Sequence, residues 1–315
     1  MRAIVIDNFG GPDVLKRREV ERPEPGPGKV LVRVIVSGTN PVDTKLRQDA
    51  SWARLTPPLI LGYDISGVIE EVGPGVEDLA EGDEVYYTPE IFGNSHGSYA
   101  EYNVVPAAIV ARKPQNLSHE EAAAIPLAGG TAWEALVRRL ELRIGETILV
   151  HGGAGGVGSF AVQLAKSMGA YVFATASAAN LDFLGELGAD HPIAYDSEDF
   201  VAVVEGETGG GVDAVFDTAG HDNVGRSLNC TRAYYHCTDI MTCCHYIDIM
   251  RVRAGPQRRP TAVVCSANGP FCDIISCHVS RCRKVAPYIQ ATIQYCQSKR
   301  PTIVIIGAIQ AIPQR

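Results

Sequence analysis

The chain has 315 residues, of which 46% are apolar and 20% charged, so it is longer than an average domain and too balanced for a disordered, collagen-like or membrane-embedded protein. The formal net charge of −8 disfavours nucleic acid and anionic membranes as partners, because phosphate-rich surfaces are bound by concentrated basic faces. We find no signal-peptide pattern and no apolar run near the roughly 20 residues of a spanning helix, and therefore expect a soluble, cytoplasmic protein of two domains.

Residues 1–120 read as short strands separated by Gly- and Pro-rich turns. The predicted strands are rich in β-branched residues or bounded by glycine, as is typical of an antiparallel sheet. They cover residues 2–6, 30–36, 62–69, 81–86 and 98–105. This pattern predicts a small barrel-like β domain that ends near residue 120.

From residue 121 to residue 228 the pattern alternates between helices and strands. Helices are predicted at 120–125 and 132–139, followed by a buried strand at 147–151, a helix that ends at Gly169 and a strand at 171–175. A further helix carries Leu181, Leu184 and Leu187, and Val212–Asp217 reads as another strand. Strands that alternate with helices predict a doubly wound parallel sheet of the Rossmann type.

A glycine-rich loop joins the strand at 147–151 to the helix that follows it. Its residues fit G-x-G-x-x-G in the strand–loop–helix context that gives this motif its meaning, and they are Gly153, Ala154, Gly155, Gly156, Val157 and Gly158. Backbone N–H groups at such a helix start bind the pyrophosphate of a dinucleotide, and the glycines let the phosphates approach closely. The loop therefore predicts a dinucleotide cofactor.

The choice between NADPH and NADH rests on the end of the next strand. An NAD site usually places an Asp or Glu about 20 residues after the glycines, to accept from the ribose 2′-hydroxyl. This chain has Ser177 and Asn180 in that region and no carboxylate between Thr175 and Asn180. Both side chains can donate to a 2′-phosphate, so we predict NADPH; the alternative is that they only cap the helix after them.

Several motifs in a fixed order resemble the zinc-independent quinone oxidoreductases of the medium-chain dehydrogenase/reductase superfamily. Besides the glycine loop, the matching segments are 38–43 (GTNPVD), 62–67 (GYDISG), 82–85 (GDEV), 97–102 (GSYAEY), 126–133 (PLAGGTAW) and 212–218 (VDAVFDT). The resemblance covers residues 1–228 and implies a GroES-like catalytic domain followed by a Rossmann domain. It also implies a homodimer.

The resemblance further implies a reaction and residues that serve it. The reaction is hydride transfer from the nicotinamide of NADPH to a quinone or another conjugated carbonyl held between the two domains, with a 2-alkenal or enoyl reductase and an NADPH-binding protein without turnover as alternatives. Asn40 and Asp43 would lie beside the nicotinamide and substrate, and Thr131 near the carboxamide. Asn40 and Asp43 each have a structural alternative: Asn40 could form a turn with Pro41, and Asp43 could cap the helix that follows.

Zinc is not expected. The related alcohol dehydrogenases carry Cys, His and Cys at the positions that match Asn40, Tyr63 and Leu127. Tyr63 would point into the space of the missing metal or, alternatively, belong to the core. Because no cysteine precedes residue 230, the chain lacks the thiolates of both the catalytic and the structural zinc sites of those relatives.

Residues 229–315 have a different composition from the rest. Residues 1–228 contain 17 Lys and Arg against 33 Asp and Glu, whereas the last 87 residues contain 11 against 3, hold all nine cysteines and lack Leu and Glu. Strands are predicted at 261–265 and 302–306. The cysteines near His245 and His278 show no paired C-x-x-C spacing, which disfavours a metal module. Our hypothesis is that this basic, Cys-rich tail is an aberrant continuation, such as a frame-shifted segment; the alternative is that it completes the sheet.

Overall fold

A computed structural model describes residues 1–220, 223–239 and 248–253. Within these residues the chain forms two compact units, of which the first comprises Met1–Leu127 and the second begins at Ala128. The sequence placed the end of the first unit near residue 120. The unit continues beyond that point because the helix His119–Ala123 packs against strands of its main sheet.

The first unit consists mainly of two antiparallel sheets. Its strands in the described residues are β1 (Arg2–Ile6), β2 (Lys16–Glu19), β3 (Lys29–Gly38), β4 (Leu59–Ile60), β5 (Asp64–Val72), β6 (Glu84–Tyr87), β7 (Tyr102–Pro106) and β8 (Ala111–Arg112). The smaller sheet has the order β2-β1-β4 and the larger one the order β7-β3-β5-β6-β8. Strands β2, β4 and β8 were not predicted from the sequence, because β2 is exposed along its whole length and β4 and β8 have only two residues each.

The described residues of the first unit include two short α-helices. Helix α1 (Pro41–Gln48) follows β3, and α2 (His119–Ala123) packs on β3 and β5. Leu46 of α1 is fully buried against Leu59, Leu61 and Tyr63 in one apolar cluster. This cluster fixes α1 beside the start of β5.

The described residues of the second unit form one six-stranded sheet. Its strands are β9 (Thr147–His151), β10 (Tyr171–Ala176), β11 (His191–Ala194), β12 (Val212–Asp217), β13 (Thr231–Asp239) and β14 (Asp248–Arg253), in the order β11-β10-β9-β12-β13-β14. All neighbours are parallel except β13 and β14. The order reverses between β9 and β12, which is the topological switch point where α/β sheets bind ligands.

Helices connect these strands. They are α3 (Pro126–Trp133), which begins in the first unit, then α4 (Gly156–Ser167), α5 (Leu181–Leu187), α6 (Phe200–Thr208) and α7 (Asn223–Ser227). The predicted helix at 132–139 is instead the end of α3 followed by a π-helical segment, Glu134–Arg139. No helix among the described residues is long and apolar enough to cross a membrane.

The start of the Cys-rich tail joins the sheet. Strand β13 pairs in parallel with β12, with a register shift between Val212 and Ala214, and β14 pairs antiparallel with β13. The predicted strands at 261–265 and 302–306 lie outside the described residues, as do the side chains of both cysteine clusters. The hypothesis of an aberrant tail therefore stays a prediction.

Candidate functional site

The glycine loop lies at the carboxyl end of the central strand β9. Gly152 adopts a left-handed φ of +67°, which a side chain would strain, and turns the chain out of the strand. The N–H of Gly153 donates to the carbonyl of Thr175 at 2.8 Å, and that of Gly155 donates to the carbonyl of Gly152 at 2.9 Å. These bonds fix the loop to the end of β10 and direct the chain into α4.

Three of the glycines are tightly packed, and the fourth, Gly156, is open. A Cβ on Gly158 would lie 2.1 Å from the carbonyl oxygen of Gly152, so α4 can pack against the loop only if residue 158 is glycine. A Cβ on Gly153 would lie 2.9 Å from Leu184. At Gly155 the nearest atom is 3.2 Å away, and at Gly156 nothing lies within 4 Å. Gly155 and Gly156 are both exposed, so backbone is presented there to a ligand.

The first turn of α4 adds an electrostatic preference. The N–H groups of Gly156, Val157 and Gly158 point out of the helix start and have no intrahelical acceptor, and Gly155 at the N-cap has no side chain to accept from them. Ala154 is half-buried beside this turn. Such a helix start, with its positive dipole end, suits the paired phosphates of a dinucleotide.

Ser177 and Asn180 follow the end of β10. Ser177 precedes a 3-10 turn and Asn180 precedes α5, but neither side chain makes a capping hydrogen bond. Instead Asn180 Nδ2 donates to Ser177 Oγ at 2.8 Å. The structure thus gives no support to the alternative that these residues only cap α5.

Two further residues at this edge were missed from the sequence. Because β11 pairs with β10 so that Ala194 opposes Ala176, Tyr195 follows its strand beside Ser177, and it is 62% exposed. Asp196 comes next, and its Oδ2 lies 3.4 Å from the N–H of Ala178. Strand β11 was not predicted from the sequence. Its register with β10 brings Tyr195 and Asp196 to the same sheet edge as Ser177. Thr131, the remaining predicted cofactor residue, is half-buried on α3.

In the first unit, Asn40 and Asp43 form the start of α1. Asn40 is the N-cap and Pro41 is the first helical residue. The Asn40 N–H donates to Asp43 Oδ2 at 2.6 Å, and the Tyr99 hydroxyl donates to the same oxygen at 2.9 Å. Asp43 therefore caps the helix, as its structural alternative proposed, and Asn40 precedes the helix as its N-cap. Neither fact prevents the Asn40 side chain from serving a ligand.

Asp64, the first residue of β5, is the central group that sequence reasoning missed. Its Oδ2 accepts from Asn40 Nδ2 at 2.7 Å, and its Oδ1 accepts from the N–H of Leu127 at 2.7 Å. Asp64 is 2% exposed. The resemblance could have indicated Asp64. Positions 40, 63 and 127 match the ligands of one metal ion in related proteins and must therefore lie close together, and residue 64 is next to one of them.

Burial dominates the acid–base properties of this cluster. It raises the pKa of Asp64 to about 7, against the hydrogen bonds from Asn40 and Leu127, which lower it. Burial likewise raises the pKa of Asp43 to about 6, against the bonds from Asn40 and Tyr99. Two carboxyl groups with raised pKa values around one amide are unusual in a core, and such groups concentrate at functional sites.

Tyr63 lies in the core. It is fully buried in the cluster with Leu46 and Leu61, as the structural alternative proposed. Its hydroxyl has no hydrogen-bond partner among the described residues. Burial, followed by the charge of Asp43, raises its pKa, so the phenol is neutral. A buried hydroxyl without a partner is costly and rare in native proteins.

The three positions that match zinc ligands do not fit zinc. They supply an amide, a phenol and an apolar side chain. The side-chain amide of Asn40 and the backbone N–H of Leu127 instead donate hydrogen bonds to Asp64. Zinc sites need about four N, S or O ligands, mostly thiolate, imidazole or carboxylate. Within the described residues no group of three His, Cys, Asp or Glu side chains is placed to hold a metal.

Two histidines, His151 and His96, make local contacts. His151 is 1% exposed at the end of β9, with Nδ1 3.2 Å from Thr175 Oγ1 and Nε2 3.0 Å from Ser227 Oγ. Burial lowers its pKa to about 4. His96 Nδ1 lies 3.0 Å from Ser95 Oγ in an exposed loop.

Two family models match the chain. The Alcohol dehydrogenase GroES-like domain matches residues 26–115, and the Zinc-binding dehydrogenase domain matches residues 156–234. The first match lies within the first unit and the second begins in the glycine loop. It ends in β13, close to where the composition changes.

Individual proteins extend this likeness. The chain is 42% identical to an NADPH-dependent alkenal/one oxidoreductase of Arabidopsis thaliana over 70% of its own length, but the match spans only 58% of that relative. It is 34% identical to a 2-haloacrylate reductase of a Burkholderia species, over 80% of this chain and 78% of the relative. A solved structure, the quinone oxidoreductase from Coxiella burnetii, shares 38% identity with a TM-score of 0.67, covering 74% of this chain and 73% of that one. The chain belongs to the medium-chain dehydrogenase/reductase superfamily, in its quinone-oxidoreductase-like group.

Proposed function

We propose that the protein is an NADPH-dependent reductase of quinones or other conjugated carbonyl compounds that works without zinc. The observation that carries the cofactor assignment is the start of α4, where Gly156 leaves open space beside N–H groups that have no intrahelical acceptor. The name of the Arabidopsis relative includes NADPH dependence, and the other two relatives are named as reductases or oxidoreductases. These names support the assignment.

The residues of the second unit would hold the dinucleotide. The first-turn amides of α4 would bind the pyrophosphate, and Ser177 and Asn180 would donate to the 2′-phosphate. NADPH, when bound, supplies a hydride from C4 of its nicotinamide. Asp196 is a nearby carboxylate, and its exposure weakens its repulsion of the 2′-phosphate. Thr131 would contact the carboxamide.

The first unit would supply the polar groups that act on the substrate. Hydride addition to the β-carbon of an enone moves an electron pair onto the carbonyl oxygen, and the resulting enolate takes a proton from water. A positioned N–H donor stabilises that oxygen as its charge develops. Asn40 is the group suited to this role, because its Nδ2 carries two hydrogens and only one is used by Asp64. Neutral Tyr63 and the carboxyl of Asp43 would complete the polar surroundings.

Two alternatives stay open for the reaction. The names of the Arabidopsis and Burkholderia relatives favour alkenals or activated acrylates over quinones. A protein that binds NADPH without turnover is the other alternative. A homodimer and a cytoplasmic location stay predictions.

A glycine substitution tests the cofactor site without disturbing the fold. Gly156→Asp places a carboxylate where the pyrophosphate would lie, yet an acidic residue in the first turn of a helix is favourable and Gly156 has room for a Cβ. Gly206→Asp is the matched control, since Gly206 is an exposed glycine of α6 with nothing near its Cβ. We expect Gly156→Asp to weaken NADPH binding at least 100-fold, measured by nicotinamide fluorescence, with an unchanged melting temperature.

The control should bind NADPH like the wild type. Equal binding by both variants would refute the cofactor site. Turnover is then compared in the wild type with a benzoquinone, a 2-alkenal and a 2-haloacrylate by following NADPH absorbance. NADPH binding with no consumption on any of them would favour the protein without turnover.

A further inference from the structure

The Asp64 carboxylate is held at both of its oxygens. Leu127 N–H binds Oδ1 and Asn40 Nδ2 binds Oδ2, each at 2.7 Å. On the β3 side, a Cβ on Gly38 would lie 2.8 Å from the Cβ of Asp64, so the backbone of β3 lies directly against this side chain. Because the group is buried and bonded on both sides, it has one available position.

An ionised carboxylate accepts hydrogen bonds and donates none. The Asn40 amide facing it must therefore present its NH₂ end, and the two ends of that amide are not interchangeable. Asp64 Oδ2 is the acceptor that Asn40 Nδ2 faces in the cluster. The carboxylate thus holds the NH₂ end of the Asn40 amide towards the cluster.

We propose that Asp64 is a positioning residue that orients the Asn40 amide, so that the second hydrogen on Nδ2 is the donor to the carbonyl oxygen of the substrate. This proposal rests on the proposed function and adds to it the residue that sets the geometry of the donor. The substrates it implies carry a hydrogen-bond acceptor, as conjugated carbonyls do.

Two single variants and their combination test the proposal. In Asp64→Asn, the Leu127 N–H still donates to the side-chain oxygen of residue 64. The new NH₂ group of residue 64 therefore faces Asn40 and forces the Asn40 amide to rotate. In Asn40→Asp two carboxylates face each other. In the double variant Asn40→Asp/Asp64→Asn, the hydrogen bond forms again with donor and acceptor exchanged, but residue 40 no longer has an N–H to donate.

We expect each single variant to lower kcat 10- to 100-fold at pH 8.5, with the NADPH dissociation constant changed less than twofold. The double variant should recover the melting temperature but not kcat. If Asp64 had a purely structural role, the double variant would recover both the melting temperature and kcat, and that result would overturn the proposal. An Asp64→Asn variant with normal kcat would also overturn it. If Asp64→Asn fails to fold, the double variant still separates the two cases.

A second readout does not depend on turnover. In protein labelled with [¹⁵N]asparagine, the side-chain NH₂ signal of Asn40 is identified by its loss in Asn40→Asp. We expect slow hydrogen exchange of this signal in the wild type and fast exchange in Asp64→Asn. Equal exchange in both proteins would overturn the positioning role. Protected exchange in a wild type that consumes no NADPH would instead refute only the proposed reaction.

Discussion

The raised pKa of Asp64 predicts that the first unit loses stability as the pH rises. Burial holds the folded-state pKa at about 7, whereas the ordinary value in an unfolded chain is 3.8. The folded state therefore binds the proton more tightly, so the stabilisation is complete below pH 3.8 and is lost as the pH rises through 7. At 1.36 kcal/mol per pKa unit, the full difference is about 4 kcal/mol, of which about 2 to 3 kcal/mol falls between pH 5 and pH 8.5.

Tryptophan fluorescence can measure this effect in the first unit alone. The chain has two tryptophans, Trp52 in the first unit and Trp133 on α3, so Trp133→Phe leaves Trp52 as the reporter. Urea unfolding at pH 5 and pH 8.5 gives the free energy of unfolding at each pH. From pH 5 to pH 8.5, the free energy of unfolding of Trp133→Phe should decrease by about 2 to 3 kcal/mol more than that of Trp133→Phe/Asp64→Asn, which cannot titrate at residue 64. Equal decreases in the two proteins would refute the assignment of a raised pKa to Asp64.

Three further predictions concern the second unit. Gly158→Ala should destabilise it by at least about 2 kcal/mol in urea unfolding, because the new Cβ meets the Gly152 carbonyl at 2.1 Å, whereas Gly156→Ala should cost less than about 1 kcal/mol; equal costs would contradict the packing argument. His151 should stay neutral down to about pH 5 in imidazole NMR titrations, because burial lowers its pKa to about 4, and a midpoint above 6 would disprove its burial. Asp196→Asn should tighten NADPH binding 2- to 5-fold and leave NADH binding unchanged, since only the former carries a 2′-phosphate; equal gains for both would show that Asp196 does not face that phosphate.

The second unit followed closely from local sequence signals. Strands β9 and β12 have the predicted bounds, because buried parallel strands are short apolar runs and glycines mark the end of the first. The glycine loop was predictable for the same reason. Strands β11, β13 and β14 were not predicted. In β11, His191 and Pro192 interrupt the apolar pattern, and only the pairing with β10 defines the strand.

The polar cluster of the first unit was only partly predictable. Asn40, Asp43 and Tyr63 came from the resemblance, but Asp64 reads as an ordinary residue at the start of a strand. Its importance depends on the approach of α1 and of Leu127, which are distant in sequence. Burial of this kind is a tertiary property, and no local pattern in β5 reveals it.

The most direct test of the central claim is the fate of the hydride. NADPH deuterated at C4 is incubated with the protein and a 2-alkenal, because a hydride delivered to carbon does not exchange with water, whereas one that ends on a quinone oxygen does. Mass spectrometry should find one deuterium on the β-carbon of the saturated aldehyde, and the Gly156→Asp variant should give none. Saturated product without deuterium, or deuterium at the aldehyde carbon of an allylic alcohol, would contradict the proposed reduction of the conjugated double bond.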